Sequence, residues 1–158
     1  GWSGWYAPRG AELGNSWRIS ADCDEWANVY VAIRTNEDLH HFAGPGGFND
    51  PDMLLGSNPS APAYLTPTQV QTQFSMWAIM AAPLLIGSRL LDMPPTDLAT
   101  YSNPEVIAVD QDPLGVQGQP VWSNCPSFTS PDNWWMSPWS MPYDIACAWT
   151  TALSTIAA

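Results

Sequence analysis

One arginine and a few aspartates are the residues whose types and spacing best suit catalysis. Asp22 lies four residues after Arg18, between a strand-like segment and a helical one. Residues i and i+4 of a strand face the same side, so Arg18 and Asp22 share a pocket if the strand extends that far. A carboxyl group beside a charged neighbour is suited to general acid–base catalysis. The structural alternative is that Asp22 caps the following helix and only pairs with Arg18.

A second acidic group, Asp50 and Asp52, flanks Pro51 in a glycine-rich loop. Such a pair could bind a metal, cap loop amides or flank a glycosidic bond. No third ligand stands at a recognisable spacing, so a loop-shaping role is favoured over a metal site. Turn capping is favoured for Asp110-Gln111-Asp112, and a solvent-exposed or packing role is favoured for His40-His41.

The composition excludes several classes of partner. The 158 residues carry 4 Lys+Arg against 15 Asp+Glu, which gives a formal net charge of -11. A chain this acidic repels phosphates and anionic lipids, so we expect neither nucleic acid nor a membrane surface as a partner. No apolar run approaches the roughly 20 residues that span a bilayer. The first residues also lack the pattern of a signal peptide.

The tryptophan and cysteine residues indicate further which kinds of site the chain can form. The ten Trp residues suit either stacking on sugars or packing in a core, and composition alone favours the core. Cys23, Cys125 and Cys147 lack the spacing of a zinc or redox motif, although Cys125 and Cys147 could pair in an oxidising compartment. All four cations are Arg, so no lysine-containing phosphate loop exists. We therefore expect no metal and no cofactor.

Strands and helices are predicted to alternate along the first two thirds of the chain. This alternation favours an α/β fold with a parallel sheet, whose catalytic residues lie at the carboxyl ends of the strands. The predicted elements are a loop at 1–15, a strand at 16–20, a helix at 24–36, a strand and loop at 40–58, a helix capped by Thr66 and ended by Pro83, a strand at 83–88, a helix at 96–102 and a strand at 105–110.

Four ordered motifs carry a resemblance to a known family. They read GNSWRISAD at 14–22, AGPGGFNDPDML at 43–54, WAIMAAPLLI at 77–86 and EVIAVDQDPLG at 105–115. Together they closely resemble the α-galactosidases of glycoside hydrolase family 27, the melibiases. The resemblance extends over roughly residues 12–118, about two thirds of the chain.

The resemblance implies a retaining glycosidase that removes terminal α-linked galactose from galactosides. Its fold would be a (β/α)₈ TIM barrel followed by an antiparallel β domain. Residues 1–118 would supply the last three βα units of the barrel. Residues 119–158 would be a divergent tail or the start of the β domain. The family habit and the acidic pI favour a secreted or lysosome-like location.

The resemblance also assigns roles to particular residues. Asp22 matches the acid/base of the family, Arg18 matches the arginine that hydrogen-bonds galactose, and Met53 matches a methionine that lines the sugar pocket. Two departures stand nearby. Phe48 replaces the usual tryptophan and keeps an aromatic face, and Cys23 replaces the usual isoleucine, which a buried apolar slot tolerates.

The second carboxylate of the reaction is expected elsewhere. The family nucleophile lies on an earlier barrel strand in a Lys-Tyr-Asp motif. Tyr143-Asp144 resembles it, but it follows the barrel region and lacks the lysine. The 158 residues alone are therefore expected to be inactive.

Several alternatives stay open at this point. Within the family, α-N-acetylgalactosaminidase and β-L-arabinopyranosidase are the close relatives, and the loop that separates galactose from N-acetylgalactosamine specificity lies before or at Gly1. Outside the enzyme class, the chain would be a sugar-binding protein without turnover or an inactive remnant.

Overall fold

The structure, a computed structural model, describes residues 9–119. The chain divides after Gly118, and every described residue except Gln119 belongs to the first unit. Within the described residues, five α-helices and two strands follow one another. In chain order they are α1 (Gly10–Leu13), β1 (Ser16–Arg18), α2 (Trp26–Glu37), a 3-10 helix (His40–Phe42), β2 (Phe48–Asp50), α3 (Pro67–Ile79), α4 (Pro95–Tyr101) and α5 (Pro104–Asp110).

The sheet is parallel, as the alternating pattern predicts. β1 and β2 pair with Arg18 opposite Asp50, so both strands end at the same edge. A parallel bridge joins Leu54 to Ile86, and the amide of Gly87 donates to the Leu54 carbonyl at 2.9 Å. The α/β class with a partial parallel sheet is therefore confirmed, whereas the strand predicted at 83–88 is reduced to this bridge.

Helix α3 is the element that local sequence signals define most completely. The Thr66 hydroxyl accepts the Gln69 amide at 3.3 Å, and the Gln69 side chain accepts the Thr66 amide at 2.9 Å. This reciprocal cap, with Pro67 at the first helical position, is confirmed. The helix ends at Ile79, before Pro83, because Ala81 adopts a φ of 48° that cannot continue the helix.

The strand predicted at 105–110 is wrong, because these residues form helix α5. The Asn103 side chain accepts the amides of Glu105 at 3.0 Å and Val106 at 3.3 Å. Pro104 occupies the first helical position. Capping by Asn103 and Pro104 therefore outweighs the strand preference of the β-branched residues in this segment. The predicted helices at 24–36 and 96–102 are confirmed as α2 and α4.

The amino-terminal segment also departs from the predicted loop at 1–15. Its described part contains the short helix α1, which packs on the indole of Trp17. A Cβ atom on Gly10 would lie 2.7 Å from the Trp17 ring. Only glycine allows this contact without a shift, so the backbone of α1 can pack directly against the Trp17 ring.

A chain of buried hydrogen bonds fixes the strand pair to its surroundings. The Trp17 indole donates to the Asn49 side chain at 2.8 Å, and Asn49 donates to the Gln117 side chain at 3.0 Å. Gln117 then donates to the Asn36 carbonyl at 2.8 Å. Every member is buried, so the network connects β1, β2 and α2 rigidly beneath the strand ends.

Several expectations fall on the part of the chain that the structure does not describe. The tail or β-domain start at 119–158 lies outside it apart from Gln119, and so do Cys125, Cys147 and Tyr143-Asp144. Among the helices of residues 9–119, none has the length and apolar character needed to cross a membrane.

Candidate active site

The candidate site forms where the two paired strands end. β1 ends at Arg18 and β2 ends at Asp50, and these two residues are partners in the parallel register. The loop after β1 carries Asp22, and the loop after β2 carries Asp52 and Met53. The carboxyl ends of parallel strands are where α/β proteins place their ligands. The structure therefore brings the polar residues predicted from sequence to one edge.

Arg18 is the centre of the arrangement. Its Nη2 atom lies 3.2 Å from Asp22 Oδ1 and 2.9 Å from Asp52 Oδ2. The same nitrogen donates to the Ser20 carbonyl at 3.3 Å. The predicted proximity of Arg18 and Asp22 is confirmed, but the predicted cause is wrong. The strand stops at Arg18, and the turn that follows, rather than strand alternation, returns Asp22 to the guanidinium.

Asp22 presents its carboxylate to solvent. Its side chain is 94% exposed and Arg18 is the ion-pair partner. The capping alternative fails, because the N-cap of α2 is Glu25 and that helix end has no side-chain cap. A carboxylate that is accessible and oriented by one cation can exchange protons with a bound molecule.

Asp52 contrasts with Asp22, because its side chain is only 7% exposed and is fully engaged. Its Oδ2 accepts the Cys23 amide at 2.7 Å and its Oδ1 accepts the Met53 amide at 2.8 Å. The Trp77 indole donates to the Asp52 carbonyl at 2.7 Å. Asp50 Oδ1 in turn accepts the Asp52 amide at 2.9 Å. The loop-shaping role predicted for Asp50 and Asp52 is therefore confirmed.

The backbone at Asp52 is unusual, with a φ of 93°. Non-glycine residues rarely occupy this left-handed region, and Asp and Asn are among those that tolerate it. The hydrogen bonds to both carboxylate oxygens and to the carbonyl hold this conformation in place. Strain of this kind persists where surrounding contacts over-determine it, which is frequent at functional sites.

Met53 lies at the same edge with its side chain half exposed. The Gln73 amide donates to the Met53 carbonyl at 3.2 Å, and Gln73 Oε1 accepts the Leu55 amide at 3.1 Å. A Cβ atom on Gly87 would lie 3.0 Å from Met53 Cβ. The sequence reasoning missed Gln73 and Gly87. A polar residue within the buried stripe of α3 was the signal that could have identified Gln73.

Cys23, next to Asp22, is a structural residue. Its thiol is buried and donates to the Pro51 carbonyl at 3.5 Å. Burial, together with the nearby Asp52 charge, raises the pKa of the Cys23 thiol to about 12. The thiol is therefore protonated at ordinary pH and unreactive. The buried slot expected for this substitution is confirmed.

The remaining polar groups singled out from sequence have structural roles. Asp112 Oδ1 accepts the Leu114 amide at 2.9 Å, so the predicted turn capping is confirmed for Asp112. The His41 and Phe42 ring centroids lie 3.9 Å apart, which is a packing contact. Within residues 9–119, no cluster of three or more His, Cys, Asp or Glu side chains could hold a metal ion.

Comparison with known proteins decides the family. A melibiase family model, described as alpha galactosidase A, matches residues 8–112. The chain belongs to the melibiase family. This melibiase chain is 45% identical over 114 residues to alpha-galactosidase 3 of Arabidopsis thaliana, a match that covers 72% of the chain and 25% of the relative. It is 40% identical over 115 residues to the alpha-N-acetylgalactosaminidase of Gallus gallus, and this match covers 70% of the chain and 27% of the relative.

Solved structures agree with this assignment. The alpha-galactosidase of Saccharomyces cerevisiae superposes with a TM-score of 0.62 at 26% identity, over 80% of this chain and 33% of that one. A family 27 β-L-arabinopyranosidase from Geobacillus stearothermophilus superposes with a TM-score of 0.62 at 27% identity, over 72% of this chain and 28% of that one. The melibiase chain thus spans about a quarter of the length of the curated relatives it matches.

Proposed function

We propose that this chain forms part of a retaining glycoside hydrolase that removes terminal α-linked galactose. The observation that carries the proposal is the exposed carboxylate of Asp22, oriented by Arg18 at the carboxyl edge of a parallel strand pair. The names of its relatives support the substrate class, since alpha-galactosidases of plant and yeast origin are among them.

The proposed reaction proceeds by double displacement at the anomeric carbon. A nucleophilic carboxylate attacks that carbon and breaks the glycosidic bond, while the Asp22 carboxyl group gives its proton to the leaving oxygen. Asp22, now ionised, takes a proton from water, and the resulting hydroxyl displaces the enzyme carboxylate. Arg18 holds the sugar by hydrogen bonds, which lowers the entropic cost of attack. Met53 contributes an apolar wall to the sugar pocket.

Asp52 is a poor candidate for the nucleophile, although it contacts the same arginine as Asp22. Asp22 and Asp52 both lie within 3.2 Å of the same Arg18 nitrogen, and a retaining pair needs a separation of about 5–5.5 Å. However, both oxygens of Asp52 already accept backbone hydrogen bonds, and its side chain is buried. We therefore assign the nucleophile to a segment outside residues 9–119, which matches the expectation from the family resemblance.

We also propose that the described residues form the last three strand–helix units of a (β/α)₈ barrel. The three strand segments are β1, β2 and the bridge segment around Ile86, and they follow one another in parallel. Residues 1–118 would then be the carboxyl-terminal part of the barrel and 119–158 a divergent tail or the start of a β domain. The acidic composition favours a secreted or lysosome-like location for such an enzyme.

A chimera tests the proposal, since the chain covers only part of its relatives. Residues 9–119 would replace the matching segment of the Arabidopsis thaliana alpha-galactosidase 3, and nitrophenyl α-galactoside hydrolysis would be measured. We expect activity from the folded chimera and no galactose release from the 158-residue chain alone. A chimera that shows the thermal unfolding of the parent enzyme but no hydrolysis would contradict the proposal. A shorter graft of residues 16–54 serves if the longer one does not fold.

The sugar preference is tested with the same chimera. Nitrophenyl α-galactoside, α-N-acetylgalactosaminide and β-L-arabinopyranoside represent the activities named for the relatives. We expect α-galactoside to have the highest kcat/KM. A higher value for either of the other sugars would assign this segment to that branch of the family. Sugar binding without turnover would instead favour the non-catalytic alternative.

A further inference from the structure

We propose that Asp52 is a positioning residue that sets the orientation of Arg18 and of the loop carrying Asp22. This inference rests on the proposed function and extends it to a residue that the sequence assigns only to loop architecture. One oxygen, Oδ2, forms the ion pair with the Arg18 guanidinium at 2.9 Å and accepts the Cys23 amide at 2.7 Å. Asp52 therefore holds Arg18 and the residue that follows Asp22 through a single atom.

The burial of Asp52 distinguishes positioning from direct contact with a sugar. Its side chain is 7% exposed, whereas those of Arg18 and Asp22 are 31% and 94% exposed. A buried carboxylate that pairs with a partly exposed guanidinium restricts the rotamers of the arginine more than a mobile surface partner does. The partly exposed Arg18 side chain is then presented in one orientation to a ligand.

Asp52 is itself held by contacts within the chain, which form without a ligand. Asp50 accepts its amide, Trp77 donates to its carbonyl, and its φ of 93° fixes the direction of the side chain. The orientation of Arg18 is thus set in advance by the folded loop after β2. Such preorganisation lowers the cost of binding.

The test is a double-mutant cycle between Asp52 and Arg18, measured on the chimera. Asp52→Asn tolerates the positive φ and removes the charge, and Arg18→Lys removes the planar fork of donors. We expect each single variant to raise KM by roughly tenfold or more, with a smaller effect on kcat. If Asp52 acts through Arg18, the double variant has about the KM of Arg18→Lys alone. Multiplied effects, or an unchanged KM in Asp52→Asn, would overturn the inference.

Two controls separate positioning from loss of structure. Asp97 is also buried and accepts the Ser57 amide and hydroxyl at 2.6 Å each, but it lies outside the candidate site. We expect Asp97→Asn to lower the unfolding temperature and leave KM unchanged. Asp52→Gly permits the same φ and vacates the space of the carboxylate, so added formate is expected to lower its KM. Failure of formate to do so in a folded variant would count against the inference.

The outcomes also distinguish this inference from the proposed function. An unchanged KM in Arg18→Lys would show that Arg18 does not bind the sugar, and the proposed function would then need revision. A raised KM in Arg18→Lys together with a normal KM in Asp52→Asn would remove the positioning role alone.

Discussion

The loops after β1 and β2 each offer an aspartate to the same arginine, with different consequences. Asp22 is 94% exposed and Asp52 is 7% exposed, yet both contact Nη2 of Arg18. The loop after β2 has a strained backbone, an indole bond to its carbonyl and amides on both carboxylate oxygens. The same arginine therefore pairs with an exposed carboxylate, which we propose as the reacting group, and with a buried carboxylate that holds the loop after β2.

Stability measurements give the largest expected difference between the two loops. Asp52→Asn leaves the Arg18 charge without its buried partner, so we expect a loss of roughly 2–3 kcal/mol in the free energy of unfolding. Asp22→Asn breaks a solvent-exposed pair and is expected to cost less than about 1 kcal/mol. Urea unfolding of the two chimera variants measures both. Equal losses would show that the loops are not divided into scaffold and reacting group.

The next largest loss of stability is expected when the Trp77 indole is removed. Trp77→Phe removes the donor to the Asp52 carbonyl and leaves that buried oxygen unpaired, at a cost of about 1–3 kcal/mol. Trp26 is half-buried at the start of α2, and Trp26→Phe is expected to change stability by less than about 0.5 kcal/mol. Thermal unfolding of both variants gives the comparison. A Trp77→Phe variant as stable as Trp26→Phe would mean that the loop does not depend on the indole.

A smaller effect is expected from the contact between Gly87 and Met53. In Gly87→Ala the new Cβ atom meets Met53 Cβ at 3.0 Å, so the methionine must move by a few tenths of an ångström. If Met53 lines the sugar pocket, KM rises by roughly three- to tenfold. Gly44→Ala is the matched control, because nothing lies within 4 Å of its Cβ position. A change of KM in both variants, or in neither, would remove Met53 from the pocket.

A pH-dependent effect is expected from Asp110, at the opposite end of β2 from the site. It lines an open cavity of about 290 Å³ that also includes Phe48. Burial raises the pKa of Asp110 from 3.8 to about 6. The folded state then favours the protonated form, so this contribution to stability is complete below pH 3.8 and is lost as the pH rises through about 6.

Asp110→Asn cannot ionise and should lack that dependence. We expect its unfolding temperature to fall less than that of the unsubstituted chimera between pH 4 and pH 7. Asp38, exposed at the end of α2, provides the control substitution Asp38→Asn. Parallel pH curves for Asp110→Asn and the unsubstituted chimera would contradict the raised pKa.

The features that could be predicted from sequence are those that depend on neighbouring residues. The cap of α3 is complete within Thr66, Pro67 and Gln69, so the sequence determines it locally. The β-branched residues of α5 predict a strand, but the Asn103-Pro104 cap, which is equally local, determines a helix. Cap signals were therefore more reliable than hydrophobic alternation in this chain.

The candidate site was predictable only in part. The family resemblance and the four-residue spacing identified Arg18 and Asp22, and the structure brings them together. The role of Asp52 depends on the Cys23 amide, 29 positions away in sequence, and on a positive φ that no local pattern indicates. Long-range hydrogen bonds of this kind follow from the tertiary fold, so sequence spacing could not show them.

The central claim, that Asp22 donates the proton to the leaving oxygen, is tested most directly by leaving-group dependence. Asp22→Asn would be compared in the chimera on an α-galactoside with a sugar leaving group and on one with dinitrophenolate, which needs no protonation. We predict that kcat/KM falls by about 10³ for the former and by less than roughly tenfold for the latter. Asp24→Asn, an exposed neighbour, should change neither. Equal losses on both substrates, or no loss on the sugar substrate, would contradict the account.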